Sequence, residues 1–387
     1  MSLQLNLMFD VILCITISFT VTFLAIPVVI TVAERKKLYD VPDERKVHSI
    51  PIPSLGGLGI FAGFIFACLL SISFTQAEEM QYFVAAALVI FFLGIKDDIL
   101  VLSPIKKFIG QVLAAFIIIY KGGIQIKSMG GFLGIHELPE MFSLLLTYLT
   151  VIVIINSFNL IDGVDGLAGT LGLMATVILG SYFLYVNHIP FAILAFSLAG
   201  ALVAFLIFNF QPAKIFMGDT GSLLIGLVNA ILVIKFLNVS TQPGLGFPAV
   251  LAAPAIGFSL LMIPLLDTLR VFSIRIFHRR SPFSPDRNHI HHLLLDKGLS
   301  HKMVTTSLVA LNVVMVGLVF LFRSVGCTWL ILAMAAVFFA VISALYHTTY
   351  RPKLFVKTLS TSNSKSGSTS NSSKIVPLTS DAVLEQK

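Results

Sequence analysis

Long apolar runs recur along the whole chain, separated by short polar stretches. Several reach the roughly 20 residues that a helix needs to cross a bilayer. Open sheet edges are not viable in lipid, so the spans are read as helices. The pattern predicts eleven, at about 8–30, 55–75, 80–95, 108–120, 141–156, 165–186, 189–208, 220–238, 248–270, 303–322 and 326–346. The third, fourth and fifth are short by hydropathy alone. The fold class expected is an all-α polytopic integral membrane protein, with a transmembrane domain over 1–350. The first run is followed by further membrane segments and has no small-residue cleavage signal, so it is expected to be retained as a span. From about 358 onward, TLSTSNSKSGSTSNSSKIVPLTS has little to bury, and a Ser-rich disordered tail is expected over 351–387.

Composition supports this reading. The chain is 57% hydrophobic and 12% charged, where a soluble domain carries about a quarter charged residues. Its net charge of +7 is explained by positively charged cytoplasmic loops rather than by nucleic acid. Of the 26 Lys and Arg, all but Lys121, Lys127, Lys235, Arg323 and Arg270, which ends the ninth helix, fall in the loops after odd-numbered helices or in the tail. That bias puts the N-terminus outside and the tail in the cytoplasm. Cys14, Cys68 and Cys327 all lie inside apolar runs and read as small core residues.

The same parity sorts the polar motifs. ERKKLYDVPDERKVHSIPIPSLGG (34–57), GIKDD (94–98), NSFNLIDGVDG (156–166), FMGDTGS (216–222) and HRRSPFSPDRNHIHH (278–292) all fall on one predicted face. In the third, steps of three place Asn156 with Asn159, and Asp162 with Asp165 follows at the same interval. Acids at membrane depth are costly and usually functional; capping of a helix end is the plainer account. Asp97 and Asp98 are adjacent carboxylates that repel, which suits a cation-bound or proton-accepting site. Asp219 opens a helix between two glycines. It suits a Mg2+ held against phosphate, or a simple N-cap. His289, His291 and His292 beside Asp286 and Arg287 fit a phosphate grip better than zinc, whose usual ligand spacing they lack. Arg45, Lys46 and His48 suit either a lipid phosphate or an anionic nucleotide, or a juxtamembrane basic anchor for anionic lipids. Asp267 and Arg270 read as a modest i, i+3 ion pair.

These five motifs, in this order over about 34–297, resemble the polyprenyl-phosphate N-acetylhexosamine-1-phosphate transferase family. The resemblance implies ten or eleven transmembrane helices around a cytoplasm-facing cleft. It implies transfer of a sugar-1-phosphate from a UDP-N-acetylhexosamine to undecaprenyl phosphate with release of UMP, in the bacterial cytoplasmic membrane. It also implies Mg2+, with Mn2+ as the alternative. By the same resemblance Asp219 is the metal ligand, and Asp97, Asp98, Asp162 and Asp165 are catalytic. Asn156, Asn159, Arg45, Lys46, His48, Arg287, His289, His291 and His292 bind substrate. The pattern His-Ile-His-His, instead of three consecutive histidines, points away from the muramyl-pentapeptide branch and toward the branch using UDP-N-acetylglucosamine. A homodimer is open. The rival from another class is an ion- or proton-coupled transporter, whose acids would sit nearer the bilayer midplane.

Overall fold

The fold is taken from a computed structural model, which describes residues 2–38, 52–75, 77–240, 252–279 and 288–347. The tail and the basic stretch with Arg45, Lys46 and His48 lie outside these residues, as do Asp286 and Arg287.

The chain is a mostly helical, multi-pass membrane protein. Its helices are α1 (Ser2–Lys36), α2 (Gly56–Ser71), α3 (Glu79–Leu100), α4 (Pro104–Phe116), α5 (Glu140–Ile161), α6 (Leu167–Tyr185) and α7 (Ile189–Asn209). They continue with α8 (Gly218–Ser240), α9 (Ala253–Leu260), α10 (Met262–Phe277), α11 (Ile290–Asp296), α12 (His301–Leu321) and α13 (Cys327–His347). A helix stands at each of the eleven predicted places, the ninth in two pieces.

Fewer of them qualify as spans than hydropathy suggested. Among the described residues, seven are long and apolar enough to cross a membrane (α1, α5 to α8, α12 and α13), and α9 with α10 makes an eighth if the bent pair counts as one. Three of the expected spans fall short. α2 has 16 residues and α4 has 13, and α3 carries Lys96, Asp97 and Asp98 in its last two turns. Two elements escaped prediction altogether: the short α11, and an antiparallel hairpin of β1 (Ser128–Phe132) and β2 (Ile135–Glu137).

α8 is the hub. It packs against α2, α3, α5, α6, α7 and α9, and 83% of its span is buried, against 22% for α13. Its first turn is approached by backbone. A Cβ on Gly94 of α3 would stand 2.5 Å from Thr220 Cα, so only glycine lets α3 come this close. The segment before α2 is tied to the same place: Phe216 N–H donates to Pro53 O at 2.7 Å, and Gly57 N–H to Met217 O at 2.7 Å.

α9 and α10 meet at a bend of 80°. The break leaves backbone groups without helical partners, and Asn312 of α12 supplies them. Its Nδ2 donates to Ser259 O (3.2 Å) and Leu260 O (3.3 Å), and its Oδ1 accepts from Ile263 N–H (3.2 Å).

Candidate active site

Adjacent residues on a helix point about 100° apart, so Asp97 and Asp98 meet different partners. Asp98 turns toward α8. It accepts from Asp219 N–H (2.6 Å), Thr220 N–H (3.1 Å) and Thr220 Oγ1 (2.6 Å), capping that helix from outside its own chain segment. Gly218, with φ at 71°, makes the approach fit: a Cβ there would stand 2.7 Å from Asp98 Oδ1.

Asp97 turns the other way. Its Oδ1 accepts from Leu102 N–H at 2.5 Å, and its Oδ2 pairs with Lys107 Nζ of α4 at 3.1 Å. Lys107 also pairs with Asp219 Oδ2 and donates to Asn159 Oδ1 at 3.1 Å. Asn159 in turn donates to Asp219 Oδ1 (2.6 Å) and Ser222 Oγ (3.0 Å). One ammonium thus stands between two carboxylates, leaving the cluster one negative charge in excess. The cluster lines a cavity of about 280 Å3, together with Gln111, Asn156, Phe108, Phe272 and Arg275.

The other predicted residues are distributed around this centre. Asn156 shares the cavity wall, but its amide is committed to Gln111 and to Ile152 O. Asp162 follows the last turn of α5, and burial pushes its carboxyl up to about 8, with the charges of Asp219, Asp98 and Asp165 acting in the same direction. Asp165 is buried and bonded elsewhere: Oδ1 stands 3.0 Å from His301 Nδ1, and its carbonyl accepts from Thr305 Oγ1 at 2.8 Å. It fastens α12 to the start of α6.

The histidines form a second layer. Asp267 of α10 is fully buried, and accepts from His289 Nδ1 (2.8 Å), Ile290 N–H (2.9 Å) and Arg270 Nη2 (3.0 Å). Arg270 also donates to Asn288 O. The pair read from spacing as modest is therefore the anchor of the whole His-Ile-His-His segment. His289 and His291 stack at 5.6 Å, and His291 Nε2 lies 2.5 Å from where a Cβ on Gly163 would stand. Burial first, and then the neighbouring His292, push the His291 imidazole down to about 3. The ring is buried, and its Nδ1 has no hydrogen-bond partner among the described residues.

Sequence reasoning missed Lys107, Gln111, Arg275 and His301. The available sign for the first two was a lysine and a glutamine four apart, on one face of an otherwise apolar helix.

Among the described residues, no group of three or more His, Cys, Asp and Glu is gathered for a metal. Asp97 and Asp219 with the Asn159 amide instead offer two carboxylates and a carbonyl oxygen beside a cavity. That donor set fits Mg2+, which takes one or two carboxylates and completes its shell with water and substrate phosphate.

A many-helix protein with this acid cluster at its helix ends matches a known class. Residues 80–237 match the model for glycosyl transferase family 4, and the chain belongs to that family, as a polyprenyl-phosphate sugar-phosphate transferase. The decaprenyl-phosphate N-acetylglucosaminephosphotransferase of Mycobacterium leprae is 34% identical over 305 residues, covering 73% of this chain and 76% of the relative. The undecaprenyl-phosphate alpha-N-acetylglucosaminyl 1-phosphate transferase of Pasteurella multocida is 35% identical over 75% of this chain and 80% of its own. A probable undecaprenyl-phosphate N-acetylglucosaminyl 1-phosphate transferase of Bacillus subtilis is 32% identical, over 75% and 79%.

Proposed function

We propose that the protein transfers N-acetylglucosamine-1-phosphate from UDP-N-acetylglucosamine to undecaprenyl phosphate, at the cytoplasmic side of a bacterial inner membrane. The observation that carries this reading is the single ammonium of Lys107 held between Asp97 and Asp219, on the wall of a cavity at the ends of membrane helices. A soluble nucleotide and a lipid headgroup have to meet at such a level. The relatives' names supply the sugar and the class of acceptor. The positive-inside bias supports the side.

In the proposed reaction an acceptor phosphate oxygen attacks the phosphorus that bears the sugar. The new P–O bond makes a lipid-linked diphosphate sugar. The bond to the second phosphate breaks, and its electrons leave with UMP. A phosphate monoester has its second pKa near 6, so the acceptor is largely a dianion at pH 7 and needs no strong base. The residues' task is then positioning and charge. Asp219 and Asp97 would hold Mg2+, which supplies charge neutralisation on the diphosphate when bound. Lys107 offers a second cation to the same oxygens. Asp98 keeps the first turn of α8, and with it Asp219, in place. Asp162, its carboxyl pushed up to about 8 by burial and by the charges of Asp219, Asp98 and Asp165, is proposed as a catalytic group beside them. Asp165 and Asp267 hold the surrounding elements.

The test is a transfer assay on purified protein with Mg2+, undecaprenyl phosphate and a panel of radiolabelled UDP-sugars. Lipid-linked product from UDP-N-acetylglucosamine, matched by UMP release and lost with EDTA, is the expected result. Folded protein that makes no product from any donor would overturn the reading.

A further inference from the structure

Lys107 is a long, flexible side chain that has to deliver its ammonium to one spot, between two carboxylates from different helices. What aims it is not obvious from α4 itself. The outward face of that helix carries Ile105, Ile109, Leu113 and Phe116, all exposed. Apolar contact with lipid tails has no direction along the helix axis, so this face fixes no register.

The inward face does. Lys107 and Gln111 are four apart on α4, and Asn156 and Asn159 are three apart on α5, so each pair shares a face. They meet as two rungs. Lys107 Nζ donates to Asn159 Oδ1 at 3.1 Å. One turn deeper, Gln111 Nε2 donates to Asn156 Oδ1 at 3.3 Å, and Asn156 Nδ2 donates back to Gln111 Oε1 at 2.8 Å. Asn156 Nδ2 also donates to Ile152 O at 2.8 Å, which fixes which way its amide faces. Gln111 is 1% exposed and Asn156 9%. A slip of α4 by one turn would break the reciprocal pair and leave the amide of Gln111 or of Asn156 without it, and unpartnered buried amides are expensive.

We infer that Gln111 is a positioning residue: its reciprocal amide pair with Asn156 sets the register of α4 on α5 and thereby holds the Lys107 ammonium between Asp97 and Asp219. The kinetic part of its test rests on the proposed transfer activity; the structural part does not.

Gln111→Leu removes the rung with little change in volume. In the resting protein without substrates, the rate at which an amine-acetylating reagent modifies Lys107 is read by mass spectrometry, with exposed Lys106 as the internal reference. Release of the side chain should raise the Lys107 rate by about fivefold or more. An unchanged rate would overturn the inference. In the transfer assay, kcat should fall by about 30-fold with KM for the UDP-sugar within about threefold, since an aim lost by about 1 Å can cost a hundredfold. The decisive comparison is made in a Lys107→Met background. There Gln111→Leu should cost less than about twofold more, because residues that act through one another are not additive. A full additional loss would show that Gln111 serves the fold alone. If the leucine variant does not fold, Gln111→Asn leaves the rung one methylene short and is tested in the same way. Pairing it with Asn156→Gln restores the combined length and should return Lys107 to its slow labelling. Should the wild-type protein transfer no sugar while the labelling results hold, the functional reading fails and the positioning stands.

Discussion

Among the described residues, Asp267 and Asp219 each pair with a basic side chain, Arg270 in one case and Lys107 in the other. They differ in closure. At Asp267 every oxygen is taken, and the exposures of Asp267, Arg270 and His289 are 1%, 5% and 4%. At Asp219 the carboxylate is 27% exposed and its partner Lys107 16%, beside a cavity, with two acids to one ammonium. In the closed cluster the Asp267 carboxylate has no oxygen left for a cation, while Arg270 Nε and Nη1 and His289 Nε2 have no hydrogen-bond partner among the described residues. The open one is short of positive charge and accessible to a cation or a phosphate. A buried ion pair is weak evidence for stability and none for chemistry. Openness and charge imbalance are what distinguish a site from a staple.

The sharpest way to break that contrast is to neutralise one aspartate in each cluster. Asp219→Asn should lower transfer by about a thousandfold, the scale of losing a principal electrostatic group, while its melting temperature in detergent stays near that of the wild type. Near-normal turnover would end the assignment of Asp219 to the open site. Asp267→Ala should do the reverse first. It leaves Arg270 buried and unpaired, at about 3–5 kcal/mol, and the melting temperature should drop steeply before any assay of activity is meaningful. A stable Asp267→Ala protein would show that the closed cluster staples nothing.

Gly218→Ala probes how the open site is held. The added methyl meets Ser54 O and Asp98 Oδ1, and φ at 71° suits alanine poorly. A loss of about 1–3 kcal/mol is expected from the backbone alone, accompanied by weaker transfer as Asp98 leaves the first turn of α8. Unchanged transfer with normal stability would argue that Asp98 does not set the position of Asp219.

A further effect is a matter of pH. Asp162 has a carboxyl raised from 3.8 to about 8 on folding. Between these values the folded protein holds a proton that the unfolded chain has lost, so stability contributed by this group falls as pH rises through the window and levels off above it. In Asp162→Asn the decline of melting temperature across that range should be shallower than in the wild type. Parallel curves would mean that the carboxyl is not held protonated.

The positions of these groups were legible in the sequence to very different degrees. Asp97, Asn159 and Asp219 announced themselves because polar residues at the ends of apolar runs need a reason to be there. Their partner did not: Lys107 sits among other loop lysines, and only packing against α5 separates it from Lys106. Asp97 and Asp98 looked like one unit, because a sequence displays adjacency and hides the turn between neighbouring side chains. Asp267 and Arg270 looked local, because the residues they hold lie about twenty positions downstream. The count of spans suffered from a related blindness. Hydropathy locates α2, α3 and α4 but says nothing of how far each reaches, and α4 is a short amphipathic helix rather than an apolar one.

The broken helix has a consequence for how the protein is made. Ser259, Leu260 and Ile263 leave the translocation machinery well before Asn312, the side chain that satisfies them. Until α12 arrives, the kink between α9 and α10 holds bare carbonyl and amide groups that hydrocarbon cannot accommodate. The kink is therefore expected to be finished late in biogenesis, with its last step waiting on a helix some fifty residues further along the nascent chain.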